Sequence, residues 1–268
     1  MKRSELPPVP FSVSGAVDAH PARRIERLIE DVGVRRAHVP LMPLFFTALL
    51  GGALVGIGTV AGLAVLADPG LGLIAGRTLA GLALAVSVVL ALLSGGELFA
   101  ANLLVPMAWM RGHISAGLVR RHAITVFFGN FTGAALAVWA AEAAGLAQTA
   151  PGFSEVLAER AAAMRMLEFW TWFWRGALGA FLLAAAVWLT FASNHLTDRI
   201  LAVLGAVTLL GALGFEHAAT SMAVLAAADG PRPWDALGGV ALGNILVGLI
   251  CVPLAYRVIY GAGTHQSG

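Results

Sequence analysis

Charge is what this sequence has least of. Its 268 residues include 17 Lys or Arg and 15 Asp or Glu, 12% in all, against 59% hydrophobic residues and 32 glycines. A soluble domain is nearer a quarter charged, so this set cannot cover a water-facing surface. That excludes a soluble enzyme, a disordered chain and a nucleic-acid binder. The net charge of +2 is too small to mark a polyanionic partner. Cysteine is nearly missing: Cys251 stands alone inside an apolar run, which rules out an intrachain disulfide framework. No secretory leader is expected, because the first 39 residues carry seven basic and five acidic side chains and no apolar core before Val39. What is present in abundance, long apolar runs, makes this an integral membrane protein in contact with the lipid bilayer.

Three regions follow. Residues 1–39 are expected to form a cytoplasmic N-terminal segment, 40–260 a six-span transmembrane domain, and 261–268 a cytoplasmic C-terminal tail. In the first region Ile25, Leu28, Ile29 and Val32 recur at helical spacing after Pro21 and before Gly33. That pattern predicts a short amphipathic helix lying at the membrane surface or on the protein itself, with an ordinary surface helix as the plain alternative. Crossing about 30 Å of hydrocarbon takes about 20 helical residues. Six stretches qualify, at 40–66, 71–110, 122–145, 167–192, 200–228 and 237–260.

The second stretch is too long for one plain helix and contains SGGELFAAN, from Ser94 to Asn102; the fifth is broken by LGFEHAATS, from Leu213 to Ser221. Both breaks bring glycine and an ionisable residue to a depth where non-helical backbone is tolerated only if buried in protein or lining a cavity. With both termini inside, twelve of the seventeen Lys and Arg fall on the cytoplasmic side, Arg111, Arg120 and Arg121 among them. The positive-inside rule therefore predicts an N-in, C-in topology. Trp170, Trp172 and Trp174 sit at the outer end of the fourth span, as an aromatic belt would, with Arg175 expected to snorkel there.

The two halves share features in the same order. Gly95-Gly96-Glu97 and Gly214-Phe215-Glu216 mark the breaks, and Gly129-Asn130 and Gly243-Asn244 mark spans three and six. Three spans separate corresponding features, so the second copy is inverted in the membrane: an all-α, inverted 3+3 repeat with two interrupted helices, the pattern of a solute pathway at the midplane. His217 is the one histidine in mid-span, beside a break, and is the first candidate for handling an anion; the plain alternative is a packing residue. Glu97 and Glu216 precede half-helices whose first amides lack partners, and are expected to cap them. Leu98 and Phe99 suit a hydrophobic constriction. One histidine and two separated glutamates do not make a metal site, so neither metal nor cofactor is expected, and no catalytic motif appears.

At this point the residues resemble the formate/nitrite transporter family. The likeness rests on GGELF (Gly95–Phe99), GNFTG (Gly129–Gly133), AVW (Ala186–Trp188), GFEH followed by Met222, and GNI (Gly243–Ile245), in that order from about Pro40 to Tyr260. The resemblance implies an aquaporin-like six-span protomer in a bacterial inner membrane and a homopentamer with one pore per protomer. It also implies passage of small monovalent anions or their weak acids: formate, nitrite and hydrosulfide, with lactate in some members. By motif, Leu98 and Phe99, followed by Ala100, would form the cytoplasmic constriction, His217 the central histidine, and Leu210 part of the outer constriction. Counting from Glu97 puts Leu84 and Val88 on the pore side of span two. The chain departs from the family pattern at Ala100 for threonine, Ser221 for asparagine and Ala180 for asparagine, and the usual lysine is missing, with Arg165 nearby. These losses leave a rival expectation, an aquaporin-like channel for water or small neutral solutes without proton chemistry.

Overall fold

A computed structural model describes residues 20–261, so the first half of the 1–39 segment, including Lys2 and Arg3, and the 262–268 tail lie outside the described residues. Pro21 and Pro40 stand immediately before α1 (Ala22–Ala37) and α2 (Leu41–Leu66), where a fixed φ favours a helix start. α3 (Leu73–Leu93) is followed by a 3-10 turn (Phe99–Ala101) and by α4 (Leu104–Met110), whose Pro106 sits in the first turn and so removes no helix bond. Ser115 opens α5 (Ala116–Ala143) by accepting from the Leu118 N–H. α6 (Leu146–Thr149) and α7 (Phe153–Met166) fill the connection to α8 (Phe169–Thr190), and α9 (Leu196–Leu213) precedes the shorter α10 (Ala218–Ala227). α11 (Trp234–Asn244) continues through a π-helical stretch (Ile245–Cys251) into α12 (Val252–Gly261). Pro253 gives the wide turn a cause, since it lacks an N–H and its ring collides with the carbonyl four residues earlier.

Six of these helices are long and apolar enough to cross a membrane: α2, α3, α5, α8, α9 and the continuous stretch Trp234–Ile259. The chain is a multi-pass membrane protein. Phe46, Ile74, Leu201 and Val258 stand exposed on its outside, as contact with lipid requires. Helices meet through small residues. A Cβ at Gly133 of α5 would lie 2.0 Å from the Leu49 carbonyl oxygen of α2, and one at Gly243 of α11 would lie 2.2 Å from that of Phe173 in α8. Only glycine permits such approaches, and close backbone contact supplies the dispersion that holds helices together in lipid.

Several expectations need correction. α1 does not end at Gly33 but crosses α4 there, because a Cβ at 33 would sit 2.1 Å from the Leu104 carbonyl oxygen. It lies on the protein: Arg111, at the end of α4, bonds Glu30 at 2.6 Å and Glu26 at 2.5 Å. Burial pushes the Glu26 carboxyl above its ordinary range, and Arg111 pulls it back. The third span begins earlier than expected, so His122 is a buried residue of α5 rather than a boundary residue. Residues 153–166, expected as loop, form α7, docked through Phe153, Leu157, Ala161 and Met164. Trp172 is not a belt residue: Trp170 and Trp174 are exposed, whereas Trp172 is fully buried.

Candidate functional site

The segments that follow α3 and α9 are built alike. In each, a glycine takes the left-handed conformation, Gly95 at φ 83° and Gly214 at φ 71°. The next residue then bonds back into the helix, Gly96 N–H to the Ala91 carbonyl at 2.7 Å and Phe215 N–H to the Leu210 carbonyl at 3.0 Å. This helix ending needs a positive φ, which is why the first residue of the Gly-x-Glu pattern is glycine. The glutamate amide then pairs with a neighbouring helix, Glu97 with the Thr47 carbonyl of α2 and Glu216 with the Arg175 carbonyl of α8, each at 3.1 Å. Opposite each glutamate carbonyl lies a glycine, Gly51 or Gly179, where a Cβ would come within 2.5 or 2.1 Å of it.

Asn130 and Asn244 complete the two breaks. Asn130 Oδ1 accepts from the Phe99 N–H at 2.9 Å, while its Nδ2 donates to the Glu97 and Ala48 carbonyls at 2.7 and 2.8 Å. Asn244 Oδ1 accepts from the Ala218 N–H at 2.9 Å and its Nδ2 donates to the Gly176 carbonyl at 2.8 Å. The asparagines therefore do the capping expected of Glu97 and Glu216. The carboxylates instead take side-chain partners. Glu97 accepts from Arg36 at 2.9 Å and from Asn102 at 3.3 Å, and Asn102 also contacts His122 Nδ1 at 3.1 Å. Glu216 accepts from Thr220 at 3.1 Å and from Ser221 at 3.4 Å, and is ion-paired with Arg160 of α7. A buried carboxyl group is tolerated when other donors replace the water it loses, and each of these two glutamates has a guanidinium and at least one further donor, an amide at Glu97 and two hydroxyls at Glu216.

Two sizeable cavities flank these breaks. The first, about 190 Å³, touches the start of α3 and the end of α9; Leu84, Leu210, Gly214, Phe215, Glu216, Thr220 and Ser221 line it with Arg77, Arg160 and Arg175. The second, about 170 Å³, touches the end of α3 and the start of α9; Leu98, Val89, Val187, Val203, Arg36 and Arg199 line it. They thus open at opposite ends of the same two helices. On α3 the first reaches Leu84 and the second begins at Val89, five residues or about 7.5 Å apart along the axis. Val88 and Val207 lie in that gap, both fully buried.

Of the expected pathway residues, Leu84 and Leu210 share the first cavity and Leu98 borders the second. Phe99 borders neither. It lines a small void with Asn102 and His122 and packs edge-on against Phe127 at 5.2 Å. Ala100 also lines neither cavity; its carbonyl lies against Gly248 of the π-helical stretch. His217 is buried immediately before α10, and its Nε2 has no hydrogen-bond partner among the described residues. Arg165 is exposed, and the cation paired with Glu216 is Arg160, five residues earlier. Arg175 does not snorkel outward but lies 4.9 Å from the Trp172 ring, with Arg160 at 5.6 Å. Arg36, Asn102, His122 and Arg160 were not foreseen as neighbours of the breaks. Only Asn102, inside the broken stretch itself, carried a local signal.

Comparison with known proteins agrees with this fold. The family model described as "Formate/nitrite transporter" matches residues 24–258. The formate channel FocA of Escherichia coli strain K12 is 25% identical over 264 residues, covering 87% of this chain and 92% of that protein. The uncharacterized transporter YrhG of Bacillus subtilis strain 168 is 27% identical over 243 residues, covering 86% and 90%. Among solved structures, an FNT family ion channel superposes with a TM-score of 0.76 at 20% identity, covering 88% of this chain and 98% of that one. A pentameric formate channel with formate bound superposes with a TM-score of 0.70 at 24% identity, covering 82% and 97%. These two likenesses are of fold.

Proposed function

The chain belongs to the formate/nitrite transporter family, and on that premise we propose that it is a channel for small monovalent anions or their conjugate acids, of the formate, nitrite and hydrosulfide class. The family and the relatives above are channels and transporters, not enzymes. The proposal includes a homopentamer with one pore per protomer, an inverted 3+3 repeat with the second and fifth spans interrupted, and an N-in, C-in orientation in the bacterial inner membrane. The matched hydrogen bonds from the Phe99 N–H to Asn130 and from the Ala218 N–H to Asn244, each two residues after a glutamate of the Gly-x-Glu pattern, support the repeat. In this orientation the first cavity is outer and the second inner.

The observation that carries the reading is the short apolar gap between the two cavities. A dehydrated anion is costly in so dry a barrier, whereas its neutral acid crosses easily. His217 follows Glu216 directly and, although it does not itself line the outer cavity, holds a buried ring nitrogen with no partner among the described residues for a solute passing between the cavities. It binds the anion or lends it a proton; Leu210 and Leu84 narrow the route outside, and Leu98, backed by Phe99, narrows it inside. Three guanidiniums against one carboxylate make the outer cavity cationic, which favours anions over the neutral-solute alternative.

Uptake of formate and nitrite into proteoliposomes tests the reading. Wild-type uptake is expected to rise as external pH falls, because the neutral-acid fraction grows. His217→Phe is expected to abolish it with the oligomer intact, and His217→Asn, a donor that cannot titrate, to keep part of it. Wild-type uptake and pH dependence in His217→Phe would leave His217 a packing residue.

A further inference from the structure

The outer cavity holds more positive charge than its own carboxylate can neutralise. Arg77 of α3, Arg160 of α7 and Arg175 of α8 line it with Glu216 as the one acidic residue, and Arg160 is committed to Glu216. Arg77 and Arg175 have no carboxylate partner among the described residues. The three cations are also close enough for both Arg77 and Arg175 to repel Arg160. Arg175 is half-buried and held against Trp172, a side chain with no exposed surface and hence no room to swing. A half-buried guanidinium such as Arg175, facing other cations and no carboxylate of its own, is costly until an anion joins it.

The chemistry of that anion follows from the donor. A guanidinium presents parallel N–H groups in a planar fork, which matches two oxygens on one central atom and meets a single spherical sulfur with one N–H only. We propose that Arg77 and Arg175 form a binding site in the outer cavity for small anions carrying two oxygens on one centre, carboxylate or nitrite, in preference to hydrosulfide. The site rests on the anion-channel reading for its purpose, because it concentrates such anions next to Leu84 and Leu210, at the outer end of the apolar gap. Its occupancy is an equilibrium property and is measured without flux.

The experiment is a formate titration of the full-length protein in detergent, followed by saturation transfer to the formate proton, with nitrite and hydrosulfide as competitors. Arg175→Gln is expected to raise the half-saturation concentration about tenfold, the scale set by one lost charge-assisted hydrogen bond. Arg175→Lys, which keeps the charge but not the fork, is expected to raise it by a smaller factor. Arg77→Gln, at an exposed position where folding is not at risk, is expected to raise it several-fold. Nitrite should displace formate at a concentration several-fold below that needed for hydrosulfide. Unchanged titrations in both Arg175→Gln and Arg77→Gln, or equal displacement by the two competitors, would overturn the site. His217→Phe separates the two readings. If formate binds with the expected arginine dependence while wild-type protein transports no anion, the channel reading fails and the site stands. If transport depends on His217 while the arginine variants bind formate normally, the site fails and the channel reading stands.

Discussion

Replacing Asn130 with alanine tests whether the first break is held by one side chain. Asn130 is completely buried and makes three hydrogen bonds, to the Phe99 N–H and to the Glu97 and Ala48 carbonyls. Ala48 lies within α2, so its carbonyl has a helical partner as well. Phe99 and Glu97 lie outside any α-helix. Asn130→Ala thus strands two buried backbone groups at about 1–3 kcal/mol each, or about 4 kcal/mol together. For a chain of this size that is a fall of about 10 °C in the midpoint of thermal unfolding. Asn130→Asp keeps the acceptor for Phe99 but sets a carboxylate against two carbonyl oxygens, and is expected to be worse than alanine. The assay is thermal unfolding of the detergent-purified protein, read by tryptophan fluorescence and by the size-exclusion profile. An alanine variant within about 2 °C of wild type, well inside the loss that two stranded groups imply, would refute the reasoning. So would an aspartate variant more stable than the alanine variant.

Gly179→Ala places a Cβ 2.1 Å from the Glu216 carbonyl oxygen; it should displace the second break and reduce uptake more than Gly205→Ala, where a Cβ meets nothing within 4 Å. Equal uptake in the two variants would show that the break tolerates the shift. Because Leu98 borders the inner cavity and Phe99 does not, Leu98→Ala should raise the leak of normally excluded ions more than Phe99→Ala, as ion flux through reconstituted protein would reveal. The reverse order would put Phe99 on the route. A cysteine at Gly230 should react with an impermeant maleimide added outside intact cells and one at Ala262 should not, in a background lacking Cys251; the opposite pattern would invert the topology.

Composition alone made this a membrane protein, because 12% charged residues cannot clothe a soluble surface. The six apolar runs also matched the six long apolar helices, with the third beginning six residues earlier than expected, and the Gly-x-Glu strings fell where α3 and α9 end. Those properties are local: length, hydropathy, and a positive φ that only glycine adopts cheaply at Gly95 and Gly214. Which side chain serves each break was not local. Asn130 reaches Phe99 from 31 positions away, and Arg160 reaches Glu216 from a helix that the apolar pattern did not announce. Trp172 and its two neighbours Trp170 and Trp174 look alike in sequence, yet only the first is buried, under two guanidiniums. In lipid a spanning helix is apolar on nearly every face, so its sequence does not mark which face turns toward protein. Small residues permit close approach, and only the packed structure shows which backbone comes near. That packing set the capping partners, the pairing of each carboxylate and the separation of the two cavities.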